Sequence, residues 1–290
     1  MVNEKMSAGK AFIVIAMVFT AFICLYPMLY VLFISVSSPE HVIRRDVYLW
    51  PKGFNLTGYA IITTHKPFWT GYGNTLIYVT AGTIVNLFLT LLTAYPLSRY
   101  SFFLRRPLSL MITFTMFISG GMIPFFIVVA NLGLYNTRWA MIVPFALSAW
   151  NVIITRSFFE SIPDSLAESA TLDGANDIII LTRIFIPLSG PIIAVITLYC
   201  AVGIWNGFFW AMVLLFDTKL HPLGVYLRRL LIQLQVEAVE GGVTGGMEQA
   251  AQMEYIKYAA IIVSTVPILL IYPFLQRYFV KGVMIGAIKG

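Results

Sequence analysis

Three histidines and two cysteines are the residues of this chain best suited to metal or nucleophilic chemistry, and their placement supports neither. His41, His65 and His221 stand alone in polar connections, at spacings that match no metal site, and each reads as a solvated loop histidine. Cys24 and Cys200 lie inside apolar runs, where they read as packing residues rather than disulfide partners or ligands. A phosphate-cradling loop is also missing: Gly9-Lys10 is followed by Ala11 and lacks the upstream glycine. The expectation is therefore no catalytic residue, no metal site and no ATP hydrolysis by the chain itself.

Carboxylates form a pattern in one place, between Arg156 and Pro187. This stretch reads as two helices and a turn. Ser161 with Asp164 resembles a capping box, and Pro163 suits a first helical turn, where its missing N–H does no harm. Ile162, Leu166 and Ala170 recur at four-residue intervals on one face, with Asp164, Glu168 and Asp173 around it. Gly174 would end the helix in a left-handed cap, and Asn176 or Asp177 would start the next.

The elements that hold this loop are set by composition. Of the 290 residues, 59% are hydrophobic and 11% charged, an excess of apolar surface that requires a lipid solvent. The formal charge of +6 is scattered through short polar gaps, which fits membrane anchoring and excludes a nucleic-acid stripe. Six apolar segments approach the length of about 20 residues needed to cross a bilayer. They are Ala11 to Ser35, Thr75 to Leu97, Leu108 to Ala130, Trp139 to Ile154, Leu188 to Phe216 and Ala259 to Leu275. The first is too long for a signal peptide and reads as a retained helix.

None of the six contains Asp, Glu, Lys, Arg or His, whereas ion-coupled carriers place such groups within the membrane. A secondary carrier or channel is the competing reading. Lys and Arg divide ten to nine between the two sides, but the cluster Arg99, Arg105 and Arg106 in a very short loop points to cytoplasmic termini.

In the loop, Glu168-Ser169-Ala170, three residues, Gly174, nine residues, then Ile184-Phe185-Ile186-Pro187 resembles the signature of ABC importer permeases. That signature is Glu-Ala-Ala, three residues, Gly, nine residues, Ile-x-Leu-Pro; Ser169 and Ile186 are the departures. Across nearly the whole chain the resemblance is to maltose-type permeases for complex oligosaccharides, through Ser119 to Pro124, Asn131 to Thr137 and Tyr272 to Gly282.

The resemblance implies an all-α, polytopic type I permease fold, one domain over residues 1–290 with six transmembrane helices. The cytoplasmic coupling loop would span about 156–187 and the outer loops about 36–74 and 217–258. Glu168, Ser169, Ala170, Asp173, Gly174, Ile184 and Pro187 would couple to the ATPase. The implied partners are a second homologous permease subunit, two cytoplasmic ATPase subunits that bind ATP and Mg, and an extracellular or periplasmic sugar-binding protein. The chain itself would carry no cofactor, and its place would be the bacterial inner membrane. The loop Asp217 to Tyr258, with Arg228, Arg229 and Gly241 to Gly246, would probe the binding protein or be a loosely ordered connection.

For an oligosaccharide path, Trp205, Asn206 and Trp210 set flat rings and an amide close together, and sugar C–H faces stack on rings while hydroxyls need polar partners. Lining and helix packing are both open for these residues. Asn86 and Asn151 are buried amides that bridge helices or touch cargo.

Overall fold

A computed structural model describes residues 8–241 and 256–270, and among them there are helices and no strands. Helix α1 (Ala8–Ser35) leads through short α2 (Pro39–Ile43) and α3 (Thr57–Thr64) to the long α4 (Lys66–Ser98). Then come α5 (Arg105–Phe117), α6 (Met122–Asn131), two 3-10 turns (Arg138–Met141 and Val143–Phe145) and α7 (Ala149–Glu160). The loop helices α8 (Asp164–Leu172), α9 (Asp177–Ile180) and α10 (Ile186–Leu188) precede α11 (Gly190–Asn206) and α12 (Phe209–Leu214). Helices α13 (Leu223–Gly241) and α14 (Ile256–Leu270) follow.

Among the described residues two helices, α1 and α4, are long and apolar enough to cross a bilayer unbroken, and α4 starts at Lys66, well before the apolar run at Thr75. The third, fourth and fifth expected spans are bent or broken. Helices α5 and α6 meet at 118° around Gly121, whose φ of +82° is a left-handed conformation open to glycine and costly for other residues. The 3-10 pair meets α7 at 45° and the segment Asp177–Leu188 meets α11 at 83°. The expected span Leu188 to Phe216 is likewise divided, because α11 stops at Asn206 and α12 begins at Phe209. Helix α14 covers the start of the sixth segment, and residues 271–275 lie outside the described residues.

The chain forms two compact units. One comprises Met1–Phe68 with Leu227–Pro267, and its small described core joins Ile34, Val42 and Val47 to Tyr30, Phe33 and Tyr258. The other comprises Trp69–Tyr226 with Ile268–Gly290 and carries two larger clusters. Tyr78, Val129, Ala140, Met141, Ala211 and Leu214 build one of these. Leu91, Ala94 and Tyr95 of α4, Val152 and Phe159 of α7, Ala167 of α8, and Ile180, Leu181 and Phe185 build the other, so the loop helices are part of a core.

Candidate functional site

Within the second unit the segment from Glu160 to Ser189 is an elbow whose inner face belongs to the core. The expected capping box does not form: Ser161 Oγ donates to the Phe158 carbonyl at 2.6 Å and so closes α7, while Pro163 takes the cap position of α8 without a side-chain hydrogen bond. The buried face also differs by one register position. Ala167, 1% exposed, and half-buried Ala170 face the core with Ile162, whereas Leu166 is exposed. The four-residue spacing from Ile162 assumes an unbroken helix, but Pro163 restarts it.

The end of α8 is a Schellman turn. Ala175 N–H donates to the Ala170 carbonyl at 2.9 Å and Gly174 N–H to Thr171 at 3.0 Å, with Gly174 at φ +80°. Asn176 then caps α9, its side chain accepting from Ile179 N–H at 2.9 Å. Further on, Leu181–Phe185 form a widened π turn, closed by Ile186 N–H on the Leu181 carbonyl. Pro187 follows at once; it has no N–H, and its ring would meet the carbonyl four residues back in a regular helix. Glu168, Ser169, Asp173, Gly174 and Pro187 are exposed, and Ile184 packs partly buried against the core. Leu172, on the same exposed helix, is 90% exposed; the sequence reading passed it over because a lone leucine carries no signal.

Polar links that the sequence reading did not pair tie this elbow to the spans. Arg99 Nη1 donates to Asp164 Oδ1 at 2.8 Å. Glu160 Oε1 accepts from Arg105 Nη2 at 2.6 Å and from Arg156 Nε at 2.8 Å, and Arg156 Nη1 also reaches Ser109 Oγ at 2.7 Å. Arg105 Nε holds the Leu97 carbonyl at 3.0 Å, and its guanidinium lies 4.0 Å from the Tyr100 ring centre. Arg156 thus joins the end of α7 to α5 through Glu160 and Ser109.

A second feature of this unit is a cavity of about 270 Å³ lined by uncharged residues, among them Asn86, Ser148, Asn151, Tyr199, Cys200 and Trp210. Its floor is a buried network. Asn86 Oδ1 accepts from Asn151 Nδ2 at 3.1 Å, from Cys200 Sγ at 3.0 Å and from Thr90 Oγ1 at 3.3 Å, while Asn86 Nδ2 donates to the Phe145 carbonyl at 3.2 Å. The Trp210 ring lies 4.5 Å from that of Phe125, tilted by 53°. Of the four path candidates, Asn151 and Trp210 line the cavity. Trp205 packs edge-on to Tyr72 at 6.0 Å, and Asn206 is exposed at the end of α11. Within α11, residues 205 and 206 turn away from the face that carries Tyr199, Cys200 and Gly203, while Trp210 reaches the cavity from α12.

The expected outer connection from Asp217 is largely ordered. Asn74 Nδ2 donates to the carbonyls of Lys219 at 2.7 Å and His221 at 3.1 Å, and Thr75 Oγ1 accepts from Leu223 N–H at 2.8 Å. His221 is buried, with Nε2 3.0 Å from the Leu215 carbonyl, so it is not a solvated histidine. The 19-residue α13 replaces a loose loop; residues 242–255, with most of the glycine-rich stretch, lie outside the described residues.

Apolar helices long enough to cross a bilayer, with a helical elbow packed into their core, mark a membrane protein. Residues 86–285 match the family described as binding-protein-dependent transport system inner membrane component, and the chain belongs to that family. The polygalacturonan/rhamnogalacturonan transport system permease protein YtcP of Bacillus subtilis (strain 168) is 40% identical, over 93% of this chain and 94% of its own. Protein LplC of the same organism is 39% identical over 98% and 96%. A permease chain from a crystal structure of a bacterial ABC transporter involved in the import of the acidic polysaccharide alginate superposes with a TM-score of 0.83. It is 36% identical and covers 96% of this chain and 100% of its own. The chain is thus an inner-membrane permease subunit of an ABC importer, a class that works with a second permease, ATPases and a substrate-binding protein. A secondary carrier or channel is excluded by this membership.

Proposed function

We propose that the chain conducts an acidic oligosaccharide, driven by ATPases that dock on α8. Support for the cargo comes from relatives whose names carry pectic polymers and alginate. The cavity has no charged lining residue, so a sugar would meet amides and hydroxyls from Asn151, Ser148 and Tyr199 and the flat face of Trp210. Neutral donors can hold hydroxyls and carboxylates without trapping an anion, which a transit site requires.

The observation that carries the coupling assignment is the exposed α8, presenting Glu168, Ser169 and Leu172 from an elbow whose other face is core. Ala170, Asp173, Gly174, Ile184 and Pro187 keep its shape. In this reading the ATPases bind ATP and Mg, this chain catalyses no reaction, and both α8 and the termini face the cytoplasm, as the cluster Arg99, Arg105 and Arg106 indicates. Closure of the ATPases moves α8, and the elbow tilts α4, α7 and α11 to exchange the cavity's opening.

The test is zero-length or short-arm cross-linking of Ser169→Cys to the co-purified ATPase, with Lys52→Cys, in the connection after α1, as control. Cross-linking at 169 that changes with ATP supports the assignment; labelling of 169 from outside intact cells defeats it. Binding of oligogalacturonate against its reduced, neutral counterpart in uptake assays tests the cargo.

A further inference from the structure

Buried hydroxyls in this chain have a regular habit. Ser35, Thr75 and Ser98 are at most 5% exposed, and each donates to a carbonyl three or four residues back, at 2.7, 2.8 and 2.7 Å. Ser189 departs from it: its side chain is wholly buried, and its Oγ has no hydrogen-bond partner among the described residues. Because the burial is complete within this chain, neither a second subunit nor lipid supplies that partner. An unpaired buried hydroxyl is costly, and its surroundings decide what meets it.

Those surroundings are a break in the backbone. Ser189 is the single residue between α10 and α11, with φ −97° and ψ 18°, where the segment Asp177–Leu188 turns by 83° into α11. Prolines flank it at positions 187 and 191. Pro191 has no N–H for the Pro187 carbonyl four residues back. The Ser189 N–H goes to the Ile186 carbonyl at 3.1 Å, three residues back, instead of the helical acceptor at Phe185. The carbonyls of Phe185 and Pro187 thus lose their helical donors within four residues of the unpaired hydroxyl. A break of this kind in an apolar setting takes its missing donors from ordered water.

Thr155 is the contrast. It too is wholly buried and unpaired, yet it stands in the middle of α7, which carries no proline, between the core residues Val152 and Phe159. A water beside it would find one hydroxyl and no freed carbonyl, too few partners to hold it.

We propose that Ser189 binds an ordered water in the break, which accepts from its hydroxyl and donates to the carbonyls of Phe185 and Pro187, and that Thr155 is dry. The water closes hydrogen bonds that the prolines open and holds the angle between the elbow and α11. It also ties that angle to Phe185, whose ring meets Tyr95 at 5.1 Å and Phe159 at 5.4 Å. The water follows from the break alone. Its effect on transport rests on the docking of ATPases at α8, which cross-linking at residue 169 tests by itself.

The test is X-ray radiolytic labelling of the assembled importer in nanodiscs, in which bound water oxidises the side chains beside it. Phe185 is wholly buried and stays silent unless water lies against it, and Tyr78, 1% exposed, is the dry control. Expected is oxidation of Phe185 several-fold above that of Tyr78, lost in Ser189→Ala and kept in Ser189→Thr. Phe185 oxidised no more than Tyr78, or equally in the Ala variant, overturns the proposal. Thermal unfolding of the same importer gives a second reading without labelling. Ser189→Ala is expected to lower the midpoint by several degrees, whereas Thr155→Val leaves it level or raises it. A midpoint unchanged or raised by Ser189→Ala means a dry hydroxyl and overturns the proposal as well. Should Ser189→Ala not assemble, the labelling of Phe185 against Tyr78 in the unaltered importer decides.

Discussion

The Tyr95 hydroxyl, near the end of α4, donates to Asp177 Oδ1 at 3.1 Å, joining a membrane-crossing helix to the first residue after the α8–α9 turn. The same tyrosine ring sits edge-on to Phe185 at 5.1 Å, so one side chain touches both arms of the elbow. A hydrogen bond to an ionised group contributes about 1.5–3 kcal/mol. Tyr95→Phe keeps the ring and removes the bond. It is expected to lower the transport-to-ATPase ratio while the importer still assembles, measured by uptake and phosphate release in proteoliposomes; an unchanged ratio would remove Tyr95 from the coupling route.

Gly174 has open space where a Cβ would stand, so a substitution there acts through its φ of +80° and not through a clash. A non-glycine residue in that conformation costs about 1–2 kcal/mol, with Asn the least penalised. The expected order of uptake is Gly, then Asn, then Ala, then Val, and Gly174→Asp is expected to impair transport with membrane insertion intact. Equal uptake by Asn and Val variants would contradict this.

Glu160 holds two guanidinium groups at once, each partly shielded from solvent. Glu160→Gln leaves Arg105 and Arg156 facing each other without an anion and is expected to lower stability by about 1–3 kcal/mol. Arg105→Gln in that background should cost little more, because its partner is already gone. A double-mutant cycle on thermal unfolding of the detergent-solubilised importer reads the difference, and full additivity would mean that the pair is not coupled.

In the cavity floor, the Asn86 oxygen serves three donors, whereas Asn151 donates to it from one side. Asn86→Ala orphans more buried groups and is expected to destabilise by about 2 kcal/mol, more than Asn151→Ala. Asn151→Ala should instead show chiefly in the KM for uptake. The reverse pattern would place the cargo contact on Asn86.

Asp46 is held below its ordinary value of 3.8, first by the hydrogen bond from His41 and then by Lys52. A depressed carboxyl stabilises the folded loop above that value and loses its contribution as pH falls through the lowered one. Nitroxide mobility at position 49 is therefore expected to rise in that acid range, and Asp46→Asn should raise it at neutral pH. A loop equally ordered in the Asn variant would show that the pair does not hold it.

Much of this was legible in the residues alone. Apolar runs of about 20 residues satisfy their backbone in lipid as helices, and the offsets among Glu168, Gly174, Ile184 and Pro187 mark the elbow through their resemblance to the permease signature. Local chemistry also set the Gly174 turn and the Asn176 cap.

Contacts between distant segments were decided by the fold. Nothing in sequence spacing couples Tyr95 to Asp177, Glu160 to Arg105, or Asn86 to Cys200, because such pairs depend on how helices rotate and cross. The rotation of α11 also turned Trp205 and Asn206 away from the cavity, which Asn151 of α7 and Trp210 of α12 line. The 118° break between α5 and α6 hid inside a continuous apolar run for a related reason: hydropathy reports which solvent a segment prefers, while direction is set by one residue's dihedral and the packing that holds it.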